Sequence, residues 1–392
     1  MKTFFKRLGI FLLVLIIGAN LFILISGRTY LFKAIGNTYL VGRSGPSVGE
    51  YQIFANHEVK NGTPQPWPRA ARFNSKEIPA DLLAKMTAIH TGAFLVIQHD
   101  SLVHEQYWGD FSNASYTNSF SVAKTVVSIL LGCAMQDGKI NSLDQPVSDF
   151  LPEYKTGDLS KITIRHLVTM SSGIAFDENY VNPLAYPAEA YYGSDLRKLT
   201  MNYTEVPVTP GTTFSYQSGN TQVLGFVLMK ATGKSLAEYA SEKLWIPMGC
   251  EHNAFWSLDR EGGNEKTFCC LNSNAGDFAR IGKLYLDSGR WNGKQIVPEA
   301  YALQSVLPTG MKNDNGTPCV TYSHAWWMIP EYKGHHIFYA RGILGQYVIA
   351  IPDLDMIVVR LGEKRLPGDS DNIPEDVYYY LDAAMGMCPN KP

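Results

Sequence analysis

Asn118-Ser119-Phe120-Ser121-Val122-Ala123-Lys124, running on into Thr125-Val126-Val127-Ser128-Ile129-Leu130-Leu131-Gly132, decides how this chain folds. The apolar run predicts a buried helix, with Ser121 and Lys124 three residues apart at its start. Residues at i and i+3 share a helix face, so the spacing sets a hydroxyl beside an amine. Ser121 falls at the helix N-terminus, where free N–H groups and the helix dipole favour developing negative charge. A serine alcohol becomes a nucleophile when a neighbouring base takes its proton, and a lysine that sheds its charge on partial burial can do so. The same residues also read as an ordinary helix start, with Ser119 or Ser121 as N-cap.

Working outward, residues 79–91 predict a helix, and residues 93–98 and 102–108 predict two strands around a His99-Asp100 turn. Residues 162–173 read as a short buried helix ended by Gly173. Residues 176–192, rich in Tyr, Pro and acids, read as a long loop of the kind that forms lids. Phe214-Ser215-Tyr216-Gln217-Ser218-Gly219-Asn220 precedes helical periodicity over 221–231, and further helices are expected over 235–245 and 274–287. Strands are expected at 321–329, 336–339, 345–351 and 356–361, then a closing helix over 376–385. The order is strands, a mostly helical middle, strands and a helix. It predicts an α/β (α+β) fold: an antiparallel sheet flanked by helices and split by an inserted helical lobe.

The chain has 392 residues and a net charge of −2, so no global field points to nucleic acid. Its six cysteines (Cys133, Cys250, Cys269, Cys270, Cys319, Cys388) form no C-x-x-C pair and no zinc spacing. The adjacent Cys269 and Cys270 are expected to look in different directions, and connectivity stays open. His166, His324 and His335-His336 lack ligand spacing, so no metal and no cofactor is expected. Lys2, Lys6 and Arg7 precede residues 8–26, which are apolar apart from Asn20. That run matches a membrane span of ~17–25 residues better than a signal-peptide core of ~7–15 residues. The positive-inside rule leaves the body outside the cytoplasm. The expected organisation is a signal-anchor transmembrane segment (1–27), a juxtamembrane stalk leaning on the body (28–75) and a catalytic domain (76–392). The expected location is a bacterial inner membrane, single-pass, with that domain periplasmic or extracellular. A cleaved signal peptide is the alternative.

Tyr216 makes the constellation specific, because a Ser–Lys hydrolase gains from a second proton carrier near the leaving group. With Ser121-x-x-Lys124, the stretch Ile164-Arg165-His166-Leu167-Val168-Thr169-Met170-Ser171-Ser172-Gly173, Tyr216-x-Ser218-x-Asn220, Cys270-Leu271-Asn272 through Asp277-Phe278-Ala279-Arg280, and Gly342-Ile343-Leu344-Gly345-Gln346-Tyr347, the chain resembles the serine β-lactamase and penicillin-binding-protein superfamily. It looks most like the class C β-lactamase-related esterases and 6-aminohexanoate-dimer hydrolases. The resemblance runs from about residue 80 to 387 and implies a β-lactamase-like fold. It implies Ser121 as nucleophile, Lys124 as base, Tyr216 as proton shuttle, and the N–H groups of Ser121 and Ile343 as an oxyanion hole. Ser218, Asn220, Arg341 and Gly342 would face substrate, and Tyr180 would close over it.

The family's third motif is usually K-T-G or H-x-G, and here Ala340-Arg341-Gly342 stands in its place. The cation that would hold a β-lactam carboxylate is missing at the first position; Arg341 could supply charge, although a strand neighbour points to the opposite face. Lys155-Thr156-Gly157 and Ser370-Asp371-Asn372 fall at the wrong places in the order. Gly45-x-Ser47-x-Gly49 lacks the strand and helix of a nucleophile elbow. Residues 231–235 lack the first glycine of a phosphate loop. The expected activity is hydrolysis of small esters or amides, including aminohexanoate-oligomer-like ones, through a Ser121 acyl-enzyme. The alternatives are a β-lactamase, a D-Ala-D-Ala carboxypeptidase and a catalytically silent module that binds cell-wall fragments.

Overall fold

The computed structural model describes residues 1–388. The helices that position the site are α1 (Lys2–Ile25), α2 (Tyr30–Asn37), α3 (Ala80–Ala88), α4 (Val122–Gln136), α5 (Tyr186–Tyr192), α6 (Ser218–Thr232), α7 (Ala275–Leu286) and α8 (Glu375–Met387). The strands are β1 (Asn56–Val59), β2 (Thr91–Gln98), β3 (Ser101–Tyr107), β4 (Thr117–Asn118), β5 (Ala254–Ser257), β6 (Leu271–Ser273), β7 (Trp327–Tyr332), β8 (His335–Gly342), β9 (Gln346–Ile351) and β10 (Met356–Gly362).

Six strands form one antiparallel sheet in the order β3-β2-β10-β9-β8-β7. The two N-terminal strands join the four C-terminal ones through the β2–β10 pairing, Val96 opposite Val358. Side chains alternate across a strand, so both faces of this sheet can be apolar only if both are covered. Leu95, Ile97, Val348 and Val359 pack in the core shared with α4 and α7. Phe94, Val96, Ile349 and Val358 pack in a second core with α3 and α8. The sheet lobe split by a helical lobe is therefore present as expected.

Local departures have local causes. Strand β7 starts at Trp327 rather than 321, because Ala325 turns the backbone to φ +61° just before it. The segment 176–192 is not all loop: α5 occupies its end, with Pro187 pre-setting the first turn and Tyr186, Ala190 and Tyr191 buried. Cys269 and Cys270 do not look apart; they are bonded to each other, while Cys133, Cys250, Cys319 and Cys388 are buried free thiols.

Residues 28–75 lean on the body, and they also become part of it. Strand β1 heads a small antiparallel sheet in the order β1-β5-β6-β4, and Val48, Phe54 and Val59 are core residues. Upstream, α1 is long and apolar enough to cross a membrane, and its side chains are exposed except for Ile23. Ile23 packs in the same core as Tyr30 and Leu31 of α2.

Candidate active site

Helix α4 is mostly apolar and buried on every side over nearly its whole length, so its N-terminus is fixed by the core. Ser121 occupies the N-cap position, and Phe120 before it holds a left-handed φ of +46°. Such backbone strain in a bulky residue clusters at functional sites. One turn on, Lys124 is buried, and its Nζ donates to Ser121 Oγ at 3.0 Å and to the Phe268 carbonyl at 2.9 Å. The amine also lies 5.1 Å from the ring centre of Tyr216. Tyr216 is thus brought from far along the chain to the Ser121–Lys124 pair. The Tyr216 ring is itself set by Trp327 at 5.3 Å and Tyr322 at 5.8 Å.

The end of β8 closes the opposite wall. A Cβ on Gly342 would stand 2.3 Å from the Ser119 carbonyl oxygen, so the strand passes the loop that carries Ser121 at a distance only glycine allows. The next residue, Ile343, shares with Ser121 the lining of one cavity of about 160 Å³. Neither the Ser121 nor the Ile343 N–H donates within the protein among the described residues. Two unspent N–H groups at one cavity are what a tetrahedral oxyanion requires.

Ser218, Tyr180, Phe268 and Cys269 also line this cavity. Glu178 ties the first two together, and nothing in the sequence singled it out. Its carboxylate accepts the Ser218 N–H at 2.7 Å, the Ser218 hydroxyl at 2.5 Å and the Tyr180 hydroxyl at 2.6 Å. A carboxylate at the N-terminus of α6 is favoured by the helix dipole and the free N–H groups there. Enclosure of the Tyr180 hydroxyl, and then the charge of Glu178, hold this phenol well above its usual range, although the residue as a whole is exposed.

The remaining expected residues lie elsewhere. Asn220 is fully buried in α6, bonded to Gln217 at 3.2 Å, and does not line the cavity. Arg341 turns away as the strand alternation requires: its guanidinium stacks 3.6 Å over Trp327 and donates to the Asn372 carbonyl. No charged side chain lines the cavity among the described residues. No cluster of His, Cys, Asp and Glu able to hold a metal occurs among them either.

The outer rim comes from the segment after α1. Ala34, Thr38, Tyr39 and Pro46 line the cavity opposite Val181 and Pro183 of the loop before α5. The two are fastened together, since Tyr30 donates to the Pro183 carbonyl at 3.0 Å and Arg28 to the Leu184 carbonyl at 3.3 Å.

Residues 80–377 match the family described as Beta-lactamase. The chain belongs to the beta-lactamase family. Among its relatives is the 6-aminohexanoate-dimer hydrolase of Paenarthrobacter ureafaciens, 26% identical over 300 residues that cover 72% of this chain and 74% of the other. Two solved structures share the fold. One is a Bacillus anthracis protein provisionally named a 6-aminohexanoate-dimer hydrolase, with TM-score 0.73, 24% identity, and 87% of this chain and 93% of that one covered. The other is a family VIII carboxylesterase, with TM-score 0.62, 16% identity, and 82% and 98% covered. The beta-lactamase family comprises serine hydrolases, and the named relatives lie on its esterase and amidase side.

Proposed function

We propose that this protein hydrolyses small esters or amides through an acyl-enzyme on Ser121. The observation that carries this reading is the 3.0 Å contact between Lys124 Nζ and Ser121 Oγ beneath an uncharged cavity. In the first step Ser121 Oγ attacks the substrate carbonyl as Lys124 Nζ takes its proton. The oxygen that gains charge sits between the N–H groups of Ser121 and Ile343. Tyr216 relays the proton to the departing alcohol or amine, and the ester or amide bond breaks. Water then attacks the acyl-enzyme, gives its proton back along the same route and releases the acid.

The uncharged lining favours neutral acyl groups. With Arg341 stacked on Trp327, no cation stands in the cavity to hold the carboxylate of a β-lactam. The same reading makes α1 a single-pass anchor with the catalytic domain outside the cytoplasm; Lys2, Lys6 and Arg7 at its start support that orientation.

A fluorophosphonate probe tests the nucleophile. One equivalent should attach at Ser121, a p-nitrophenyl ester should give a stoichiometric burst, and Ser121→Ala should abolish both. Absence of labelling in folded protein would sink the proposal. Nitrocefin turnover well above the Ser121→Ala background would restore the β-lactamase reading.

A further inference from the structure

Outside α1, exposed large apolar side chains concentrate at one place. Leu40 is 78% exposed, Val41 54% and Tyr39 68% on the turn after α2, and Val181 is 92% exposed on the loop facing them. Phe32 and Ile35 continue this surface along α2. A grouped apolar surface of this kind marks a contact with something apolar. It is also the rim of the cavity, because Tyr39 and Val181 line both.

What covers the rim follows from its connection to α1. Only residues 26–29 separate α1 from α2, a reach of at most about 14 Å even fully extended. The linker is also folded back on α1, since the Arg28 N–H donates to the Ile23 carbonyl at 3.1 Å, and Ile23 belongs to the same core as Tyr30 and Leu31 of α2. If α1 crosses the bilayer, the surface around Leu40 and Val181 meets the lipid headgroups on the side where the body lies. Apolar side chains there sink roughly 5–10 Å into the boundary, and tyrosines such as Tyr39 and Tyr180 sit at headgroup level.

We propose that this rim rests in the membrane interface and that the cavity takes its substrate, the carboxylic ester of a membrane lipid, directly from the bilayer. This deepens the hydrolase reading and rests on it and on α1 spanning the membrane. The uncharged cavity receives the carbonyl end of the acyl chain, while the rest of the chain stays in the bilayer and the headgroup at the mouth. Ser121 Oγ bonds to the acyl carbonyl carbon, the ester C–O bond breaks, and the serine proton passes to the departing lysolipid alkoxide. Water then cleaves the acyl-enzyme into a fatty acid and the free serine.

The test uses the full chain in phosphatidylcholine vesicles that carry a fluorogenic phospholipid ester. Soluble p-nitrophenyl butyrate is assayed in parallel. The double variant Leu40→Asp with Val41→Asp alters the rim without touching the cavity lining. It should lower lipid-ester turnover at least tenfold and leave butyrate turnover within twofold. If L40D/V41D loses both activities, Ile35→Lys is the second probe of the same rim and should show the same split. Unchanged lipid-ester turnover in these variants would overturn the inference. So would wild-type lipid turnover no higher than that of Ser121→Ala while butyrate is still cleaved, a result that leaves the hydrolase reading standing. Failure on both esters by folded wild type would remove the hydrolase reading as well. Failure to float with vesicles after a carbonate wash would remove the membrane span. Dissociation of a dimer by L40D/V41D would assign the rim to a second copy of the chain and overturn the lipid proposal.

Discussion

Two residues show how little freedom the site has. Gly342 is required by space rather than by its backbone angle: its φ of −117° suits any residue, but a side chain would strike the Ser119 carbonyl. That neighbour is backbone and cannot swing aside. Overpacking of this sort costs about 1–3 kcal/mol, and a displacement near 1 Å at a reacting group costs about 100-fold in rate. Gly342→Ala should therefore lower kcat on a p-nitrophenyl ester by about two orders of magnitude, and lower the thermal midpoint too. Unchanged kinetics would mean that β8 can retreat from the loop that carries Ser121. Glu178 acts differently, through Tyr180 and Ser218, which it fastens together. Each charge-assisted hydrogen bond is worth about 1.5–3 kcal/mol, so Glu178→Ala should free the loop and raise KM several-fold while kcat changes less. A loss confined to kcat would give Glu178 a role nearer the chemistry. Of the site, Ser121 and Lys124 were legible in their i, i+3 spacing at a helix start, and Tyr216 in its order along the chain relative to them. Glu178 and the Phe268 carbonyl were not. One is a lone acid in a loop without periodicity, and the other is a backbone group that no side-chain identity encodes.

Among the elements, the strands and long helices were legible in outline because β2, β9 and β10 are continuous apolar runs and α4 is mostly apolar. The small sheet was not. Strand β1 is Asn56-His57-Glu58-Val59, a polar stretch held by its partner strand rather than by its own pattern. Its pairing carries a titratable link to the body, His57 Nδ1 to Glu265 Oε1 at 2.8 Å. The hydrogen bond to Glu265 raises the His57 pKa above its ordinary 6.5, against the opposing effect of partial burial. A histidine whose folded pKa is raised contributes stability fully below the unfolded value and loses it as pH rises through the folded value. The wild-type advantage in thermal midpoint over His57→Asn should therefore be greatest at or below about pH 6.5 and shrink at higher pH. A difference that grew toward alkaline pH would contradict this link. Helix α5 hid for another reason: its tyrosines and proline look like loop composition until burial against the core reveals their order.

At the scale of the whole molecule, the segment expected as a stalk leaning on the body is tied closely to it. Residues 28–75 supply a sheet strand, core side chains and one wall of the cavity. A chain beginning at residue 28 should fold and cleave soluble esters, while one beginning at residue 76 should be insoluble or inactive. Equal activity of the two would show that the wall is dispensable. The central sheet has a further consequence, for biosynthesis. Strand β2 pairs with β3 on one edge at once, but its other neighbour is β10, so Gln98 must wait for Met356 before the middle of the sheet can close. If α1 enters the membrane first, nearly the whole polypeptide must emerge on the far side while the margin of β2 stands bare. Long-range pairing of this kind is slow and prone to aggregation. The newborn chain should depend on holding chaperones in that compartment, and cells short of them should accumulate aggregates or degraded fragments in place of the mature protein.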